Sequence, residues 1–480
     1  MTTHAPAATD APPATPARSR ALALAVLCAG MLMIILDGSI VTVALPAIQE
    51  DLGFSPSGLT WTVNAYLIAF GGLLLLAGRL GDLIGRKRVF VAGLALFTAA
   101  SLLCALATSP GLLIGARFLQ GIGGALASSV SLGMIVTLFP EPAERGRAIG
   151  AFSFVGAAGA SIGQVLGGVL TQALDWHWIF LINLPLGLAA ALLAVRVLES
   201  ERGPGLRAGA DVLGAVLITA ALMLGVHTVV GTGEHGWASA RTLGPGTLAV
   251  ALLAAFLWHE GRAAHPLLPL RMFRSRDVSG ANLVQVLTIA GMFGFQILVA
   301  LYLQNVLGYG AAATGLAMLP AAVAIGAVSL LFSARLSARF GERRVLLAGL
   351  ALLVAALGLL ARLPADAHYA VHLLPTMLLA GGGGLVLSTL AVLGMSGAGP
   401  ADAGTASGLF NTTQQIGGAF GVAVLTALAD GRTGALAAAG HPGAEALAAG
   451  FRLAFAVAAG LLAAALVLAA TVLRPTARPH

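Results

Sequence analysis

Long apolar runs separated by short polar breaks account for most of the chain. Read in order, they predict helices over 22–48, 59–77, 89–107, 112–139, 148–171, 178–197, 212–231, 243–258, 278–306, 312–336, 345–361, 371–395, 405–428 and 452–473. A membrane-spanning helix needs about 20 predominantly apolar residues, and each of these fourteen runs meets or nearly meets that length. The eighth is the shortest. An even number of crossings places both termini on one side of the membrane.

The basic residues choose that side. With the N-terminus inside, 21 of the 26 Lys and Arg fall at the inner ends or in the inner loops, and only Arg241, Arg362, Arg432 and Arg452 fall outside. Arg117 lies within a helix. Inner loops of membrane proteins carry the excess of Lys and Arg, so the bias predicts cytoplasmic N- and C-termini in a cytoplasmic membrane. The net charge of +7 and pI near 10.4 are therefore topology signals rather than a nucleic-acid footprint.

Composition excludes the soluble classes. Of 480 residues, 58% are hydrophobic and 9% are charged, against about 25% charged in an ordinary soluble protein. No separate catalytic domain fits in the loops. Cys28 and Cys104 lie inside apolar runs, where no disulfide framework forms. Residues 1–20, rich in Ala, Pro and Thr, read as a disordered cytoplasmic segment. The apolar run after Arg20 is too long for the h-region of a cleavable signal peptide.

An internal repeat sets the domain plan. Arg79-Leu80-Gly81-Asp82-Leu83-Ile84-Gly85-Arg86-Lys87-Arg88-Val89 aligns without gaps with Arg335-Leu336-Ser337-Ala338-Arg339-Phe340-Gly341-Glu342-Arg343-Arg344-Val345. The offset of eight helices predicts two six-helix bundles, 21–200 and 263–473, with two inserted helices in 201–262 and a cytoplasmic tail in 474–480. Parallel repeats of this kind place the substrate near the midplane between the halves.

Asp37 and Arg117 are the two ionisable residues that these spans bury deeply. Each costs roughly 2.5–3.5 kcal/mol at a helix centre on insertion scales, so a functional role is the default reading. A carboxylate can take up and release a proton, whereas a guanidinium holds its charge. Asp37 is thus the candidate proton carrier and Arg117 the fixed charge that tunes it. The competing reading is a permanent ion pair joining helices 1 and 4. Asn64, Tyr66, Gln120, Asn282, Gln285, Gln296, Asn411 and Gln415 are candidates for lining a substrate cavity, set against a role as interhelical hydrogen-bonding glue.

Several enzyme-like strings lack their context. Gly159-Ala160-Ser161-Ile162-Gly163 matches the nucleophile elbow but lies in an apolar helix. His259-Glu260 precedes His265 at i, i+6, whereas the metalloprotease spacing is i, i+4. No phosphate-binding G-x-x-x-x-G-K-[ST] loop is present. No cofactor or metal is expected.

Four stretches carry a resemblance to a known family. Gly78-Arg79-Leu80-Gly81-Asp82-Leu83-Ile84-Gly85-Arg86-Lys87-Arg88 resembles the signature loop of the major facilitator superfamily, with Gly78, Arg79, Asp82, Gly85, Arg86 and Arg88 in register. Leu36-Asp37-Gly38-Ser39-Ile40-Val41-Thr42-Val43-Ala44-Leu45-Pro46 is similar to the first-helix motif of its fourteen-helix drug:proton antiporter branch. Arg117-Phe118-Leu119-Gln120-Gly121-Ile122-Gly123-Gly124 resembles the buried-arginine motif, and Trp176-His177-Trp178-Ile179-Phe180-Leu181-Ile182-Asn183-Leu184-Pro185 the start of helix 6. In helix 5, Gly159, Gly163, Gly167 and Gly168 match the antiporter motif, while Gln164 stands at its proline. The glycine face for close packing is kept, and any kink that proline imposes is lost.

The resemblance implies an all-α polytopic fold and a proton-coupled exporter of lipophilic or cationic small molecules, working within the lipid bilayer as a monomer without nucleic acid. It also implies that Asp82 docks on the start of helix 13, near Thr405. A solvated carboxylate paired with Arg79 or Arg86 is the alternative. Within transport, export of an endogenous metabolite or antibiotic is the second reading, and an intramembrane enzyme is a remote third.

Overall fold

The computed structural model describes residues 17–200, 203, 205, 209–236, 239–264, 266–268, 270, 276–364, 366–395 and 403–473, and among them it contains no strand. Residues 1–16, His265 and 474–480, for which the sequence carries expectations, lie outside the described residues. Fourteen helical segments cross the molecule: α1 Ala17–Leu52, α2 Pro56–Ile84, α3 Arg86–Ala105, α4 Pro110–Leu138, α5 Pro142–Ala173, α6 Trp178–Val197 and α7 Val212–His235. They continue with α8 Ala240–Glu260, α9 Arg276–Asn305, α10 Ala311–Phe340, α11 Glu342–Leu360, α12 Tyr369–Gly394, α13 Ala403–Ala438 and α14 Gly443–Val472.

Local chemistry fixes where these helices begin. Ser55, Ser109 and Ser239 accept the amides of Gly58, Leu112 and Thr242, each satisfying one donor left open by a first helical turn. Gly85 and Gly341 turn the chain between consecutive helices at φ of 101° and 83°, a region that only glycine enters freely. They are equivalent positions of the internal repeat. The same offset relates Gly93 to Gly349, each of which packs against a glycine of the next helix. A methyl on Gly93 would lie 2.8 Å from the Gly123 carbonyl oxygen, where α3 meets α4, and one on Gly349 would lie 2.7 Å from that of Gly382, where α11 meets α12. Small residues let backbones approach this closely.

Some spans differ from the sequence reading. Helix 6 is interrupted at Ile182, because Pro185 has no amide to return to Leu181. A π-turn over Val328–Ser333 widens α10, where Ser329 and Ser388 hydroxyls meet at 2.9 Å. The run of glycines at 381–384 breaks α12. α13 continues to Ala438, well beyond the expected end at 428, carrying Asp430, Gly431, Arg432 and Gly434 in helical conformation.

Two apolar cores result. One is built mainly from α1 to α8, and the other from α9 to α14. The inserted α7 packs into the seam between them: Gly72 of α2 faces Thr219, and Gly225 faces the Phe420 ring of α13. Large side chains such as Leu188, Val250 and Val371 remain more than half exposed on the perimeter. That surface suits lipid rather than water.

Candidate functional site

Asp37 occupies the middle of α1 and is fully buried, as are Arg117 and Gln120 one turn apart on α4. One Asp37 oxygen, Oδ2, accepts from Arg117 Nη1 at 2.5 Å. The other, Oδ1, accepts from Gln120 Nε2 at 2.7 Å and from Asn183 Nδ2 of α6 at 2.9 Å. Arg117 also donates to Gln120 Oε1 at 2.6 Å and to the Thr62 carbonyl at 2.9 Å. Its guanidinium lies 4.4 Å from the Tyr66 ring centroid. Ser101 of α3 accepts from Gln120 Nε2 at 2.9 Å and donates its hydroxyl to the Phe97 carbonyl at 2.8 Å. Five helices thus converge on one carboxylate, and the pair with Arg117 makes the cluster electrically neutral.

Such an arrangement holds a charge where lipid would expel it, because three donors replace the water lost from the carboxylate. It also leaves Asp37 beside open space. Gly38, the next residue of α1, is exposed, and a side chain added there would meet nothing within 4 Å.

The other candidate residues divide by place. Tyr66 and Gln120 join the Asp37 cluster. Asn282 accepts from Thr413 of α13 at 2.9 Å and donates to the Val278 carbonyl, so it ties α9 to α13. Asn64 and Gln285 are fully buried, and neither amide has a partner on either atom. Gln415 packs its Cβ against Gly71 of α2 and leaves Oε1 unpaired, while Gln296 and Asn411 are partly buried.

In the signature loop Asp82 accepts from Arg86 Nη2 at 3.3 Å and is more than half exposed. Arg86 also donates to the Gly133 carbonyl, and Arg79 to that of Gly209. Gly78 and Arg88 flank these contacts. The side chain of Thr405 lies outside the described residues.

The glycines of α5 serve two neighbours. Gly159, Gly163 and Gly167 face α1, where a methyl on Gly163 would lie 2.7 Å from the Leu36 carbonyl oxygen and one on Gly167 2.6 Å from that of Ile40. Gly168 faces the start of α10, and the Gln164 backbone abuts Gly315. Contacts between the two cores gather at the membrane face opposite the signature loop: Gln304 donates to the Val43 carbonyl at 3.0 Å, Thr60 meets Thr426 at 3.2 Å, and Gln172 accepts the Ala312 amide at 3.2 Å.

The profile of the Major Facilitator Superfamily matches residues 27–422, which include every helix of this site. The chain belongs to the major facilitator superfamily. It is a multi-pass membrane transporter, not an enzyme. Among its relatives, the cephamycin export protein CmcT of Amycolatopsis lactamdurans is 43% identical over 408 residues, 84% of each chain. The puromycin resistance protein pur8 of Streptomyces alboniger is 39% identical over 415 residues, 86% of this chain and 82% of that one. A bacterial homologue of the human lysosomal transporter Spinster, solved in an inward-facing, unoccupied conformation, superposes with a TM-score of 0.67 at 16% identity, over 95% of this chain and 97% of that one.

Asn183 and Ser101 were not singled out from the sequence as partners of Asp37. The signal for Asn183 was its place in the Trp176–Pro185 motif at the start of helix 6. Nothing in the sequence marked Ser101, whose role depends on how α3 packs.

Proposed function

We propose that the protein is a secondary active exporter that carries lipophilic or cationic drug-like molecules outward in exchange for protons, by alternating access. The observation that carries this reading is the buried Asp37, held by Arg117, Gln120 and Asn183 beside the open space at Gly38. Asp37 takes up the proton, and Arg117 holds the charge that offsets it when the proton leaves. Entry of one proton down a 100 mV potential supplies about 2.3 kcal/mol. That is enough for roughly fifty-fold accumulation at one-for-one exchange.

The protein works as a monomer in the cytoplasmic membrane with both termini inside, in keeping with the distribution of Lys and Arg. Its two bundles, 21–200 and 263–473, rock about the midplane, while 201–262 fills the seam. With contacts gathered at the face opposite the signature loop, this is the form closed to the outside. In the outward-open form Asp82 leaves Arg86 and docks on the start of α13, whose amides and dipole favour an anion. Asn64, Gln285 and Gln415 offer their unpaired amide atoms to the substrate.

A second reading, export of an antibiotic the organism itself makes, draws support from the names of the two relatives described above. One experiment addresses both readings. Inverted membrane vesicles containing the protein are offered a panel of lipophilic cations and antibiotics, with and without a pH gradient. Gradient-dependent uptake of many compounds supports broad efflux, and uptake of a single chemical class supports a dedicated exporter. Uptake indifferent to the gradient would refute proton coupling.

A further inference from the structure

Away from the Asp37 cluster, a second group of buried ionisable side chains lies at the ends of the inserted helices, on the face that carries the signature loop. Asp211 caps α7, its Oδ1 accepting the Gly214 amide at 2.8 Å and lying 2.7 Å from His259 Nε2 of α8. Glu260 closes α8, and its Oε2 accepts the Leu268 amide at 2.8 Å, in the segment that leads to α9. Asp211 is 8% exposed and Glu260 3%. Each carboxyl thus uses one oxygen to hold backbone.

Their other oxygens have no partner. Asp211 Oδ2 and Glu260 Oε1 point at the same spot, since a methyl on Gly214 would lie 2.5 Å from the first and 2.7 Å from the second. The two unpartnered oxygens therefore share one small volume beside the Gly214 backbone. Ionised carboxylates offer only lone pairs to one another, so two of them here would repel and leave both atoms unsatisfied. A single proton turns that contact into a hydrogen bond.

We propose that Asp211 and Glu260 hold one proton between them, and that this shared proton fastens the inserted helix pair to the segment leading into α9. The charge balance supports the assignment. Among the described residues, α8 contributes His259, which pairs with the carboxylate that stays ionised. Arg262, just past α8, turns instead onto the Trp258 ring at 4.3 Å. From α2, Arg79 reaches the Gly209 carbonyl, two residues before Asp211. With the proton present, the pair carries one negative charge, beside the His259 ring at 2.7 Å. Without it, two buried carboxylates repel each other, and the hold on Leu268 and on the cap of α7 slackens. The site shares no residue with the Asp37 cluster, so it stands whether or not Asp37 carries the coupled proton.

The test uses the full-length protein in lipid nanodiscs. Infrared spectra recorded over a pH series read protonated carboxyl groups, and reversible unfolding over the same series reads stability. The folded pair holds a proton that the unfolded chain gives up. The folded-to-unfolded ratio of the wild type should therefore fall about tenfold for each pH unit over which that difference persists, and recover as pH is lowered. In Glu260→Gln the amide donates at every pH, so this slope and the pair's infrared band should both disappear. Asp211→Asn keeps the helix cap, since Asn caps as well as Asp, and should behave alike if Glu260→Gln folds poorly. In Asp37→Asn the band should persist. If the folding variants keep the wild-type slope, or if the band is lost in Asp37→Asn but not in either pair variant, the shared proton is refuted.

Discussion

Asn183 offers the sharpest test of how Asp37 is held. Its Nδ2 donates to Asp37 Oδ1 at 2.9 Å in a fully buried site, while its own Oδ1 has no partner. A hydrogen bond to a charged group contributes about 1.5–3 kcal/mol, and an unsatisfied buried acceptor costs about 1–3 kcal/mol. Asn183→Ala removes both together, and since the two are of similar size the single variant should lose less than about 1 kcal/mol. A double-mutant cycle with Asp37→Asn separates the two terms. The amide at position 37 still accepts a neutral bond of about 0.5–1.5 kcal/mol, which leaves a coupling near 1 kcal/mol for the charge. That corresponds to about a fivefold change in the unfolding equilibrium. It also exceeds the average of about 0.6 kcal/mol for a hydrogen bond between membrane helices. Reversible unfolding of the four proteins in mixed micelles measures it. Energies that add to within about 0.3 kcal/mol, as those of independent sites do, would refute the contact.

Three further outcomes are expected. With Cys28 and Cys104 replaced, a cysteine at His441 should react with an impermeant thiol reagent from outside intact cells and one at Arg339 should not; the reverse would overturn the assigned orientation. Gly163→Ala should destabilise the protein by about 1–3 kcal/mol more than Gly159→Ala. The added methyl meets the Leu36 backbone at 2.7 Å in the first case and the movable Leu32 Cδ1 at 3.0 Å in the second. The helix-propensity gain is common to both, so comparing their unfolding midpoints isolates packing. Asp82→Asn should shift the balance of access states toward the form closed outside, with little change in substrate affinity within a state. Spin-label distances between inner loops read this, and an unchanged distribution with normal transport would leave Asp82 as a solvated loop carboxylate.

The fold was legible because a bilayer leaves few solutions. Every backbone amide in lipid must be paired within its own helix, so an apolar run of sufficient length already names its structure. Breaks were harder to read, since Ile182 and the turn at Val328–Ser333 depend on a proline three residues past the break and on packing against Ser388. Asp37 and Arg117 stood out as charges in apolar runs, and their pairing followed from cost alone. Gln120 and Tyr66 were recognised as polar intrusions, but whether each faces a cavity or the ion pair is decided by helix rotation, which one polar residue cannot report. The pairing of Asp211 with Glu260 was not legible because both sit at helix ends, where a carboxylate is ordinarily solvated. Only the meeting of α7 and α8 buries them.

The central claim is that Asp37 carries the coupled proton, and purified protein in liposomes tests it directly. An imposed pH gradient should drive accumulation of a transported substrate by the wild type. Asp37→Asn, which keeps the size of the side chain and removes its titration, should still bind that substrate but accumulate none, and Asp37→Glu should retain part of the coupling. If Asp37→Asn accumulates substrate in response to the gradient as the wild type does, the proton travels by another carboxylate, such as Asp430 in α13, and the role assigned to Asp37 is wrong.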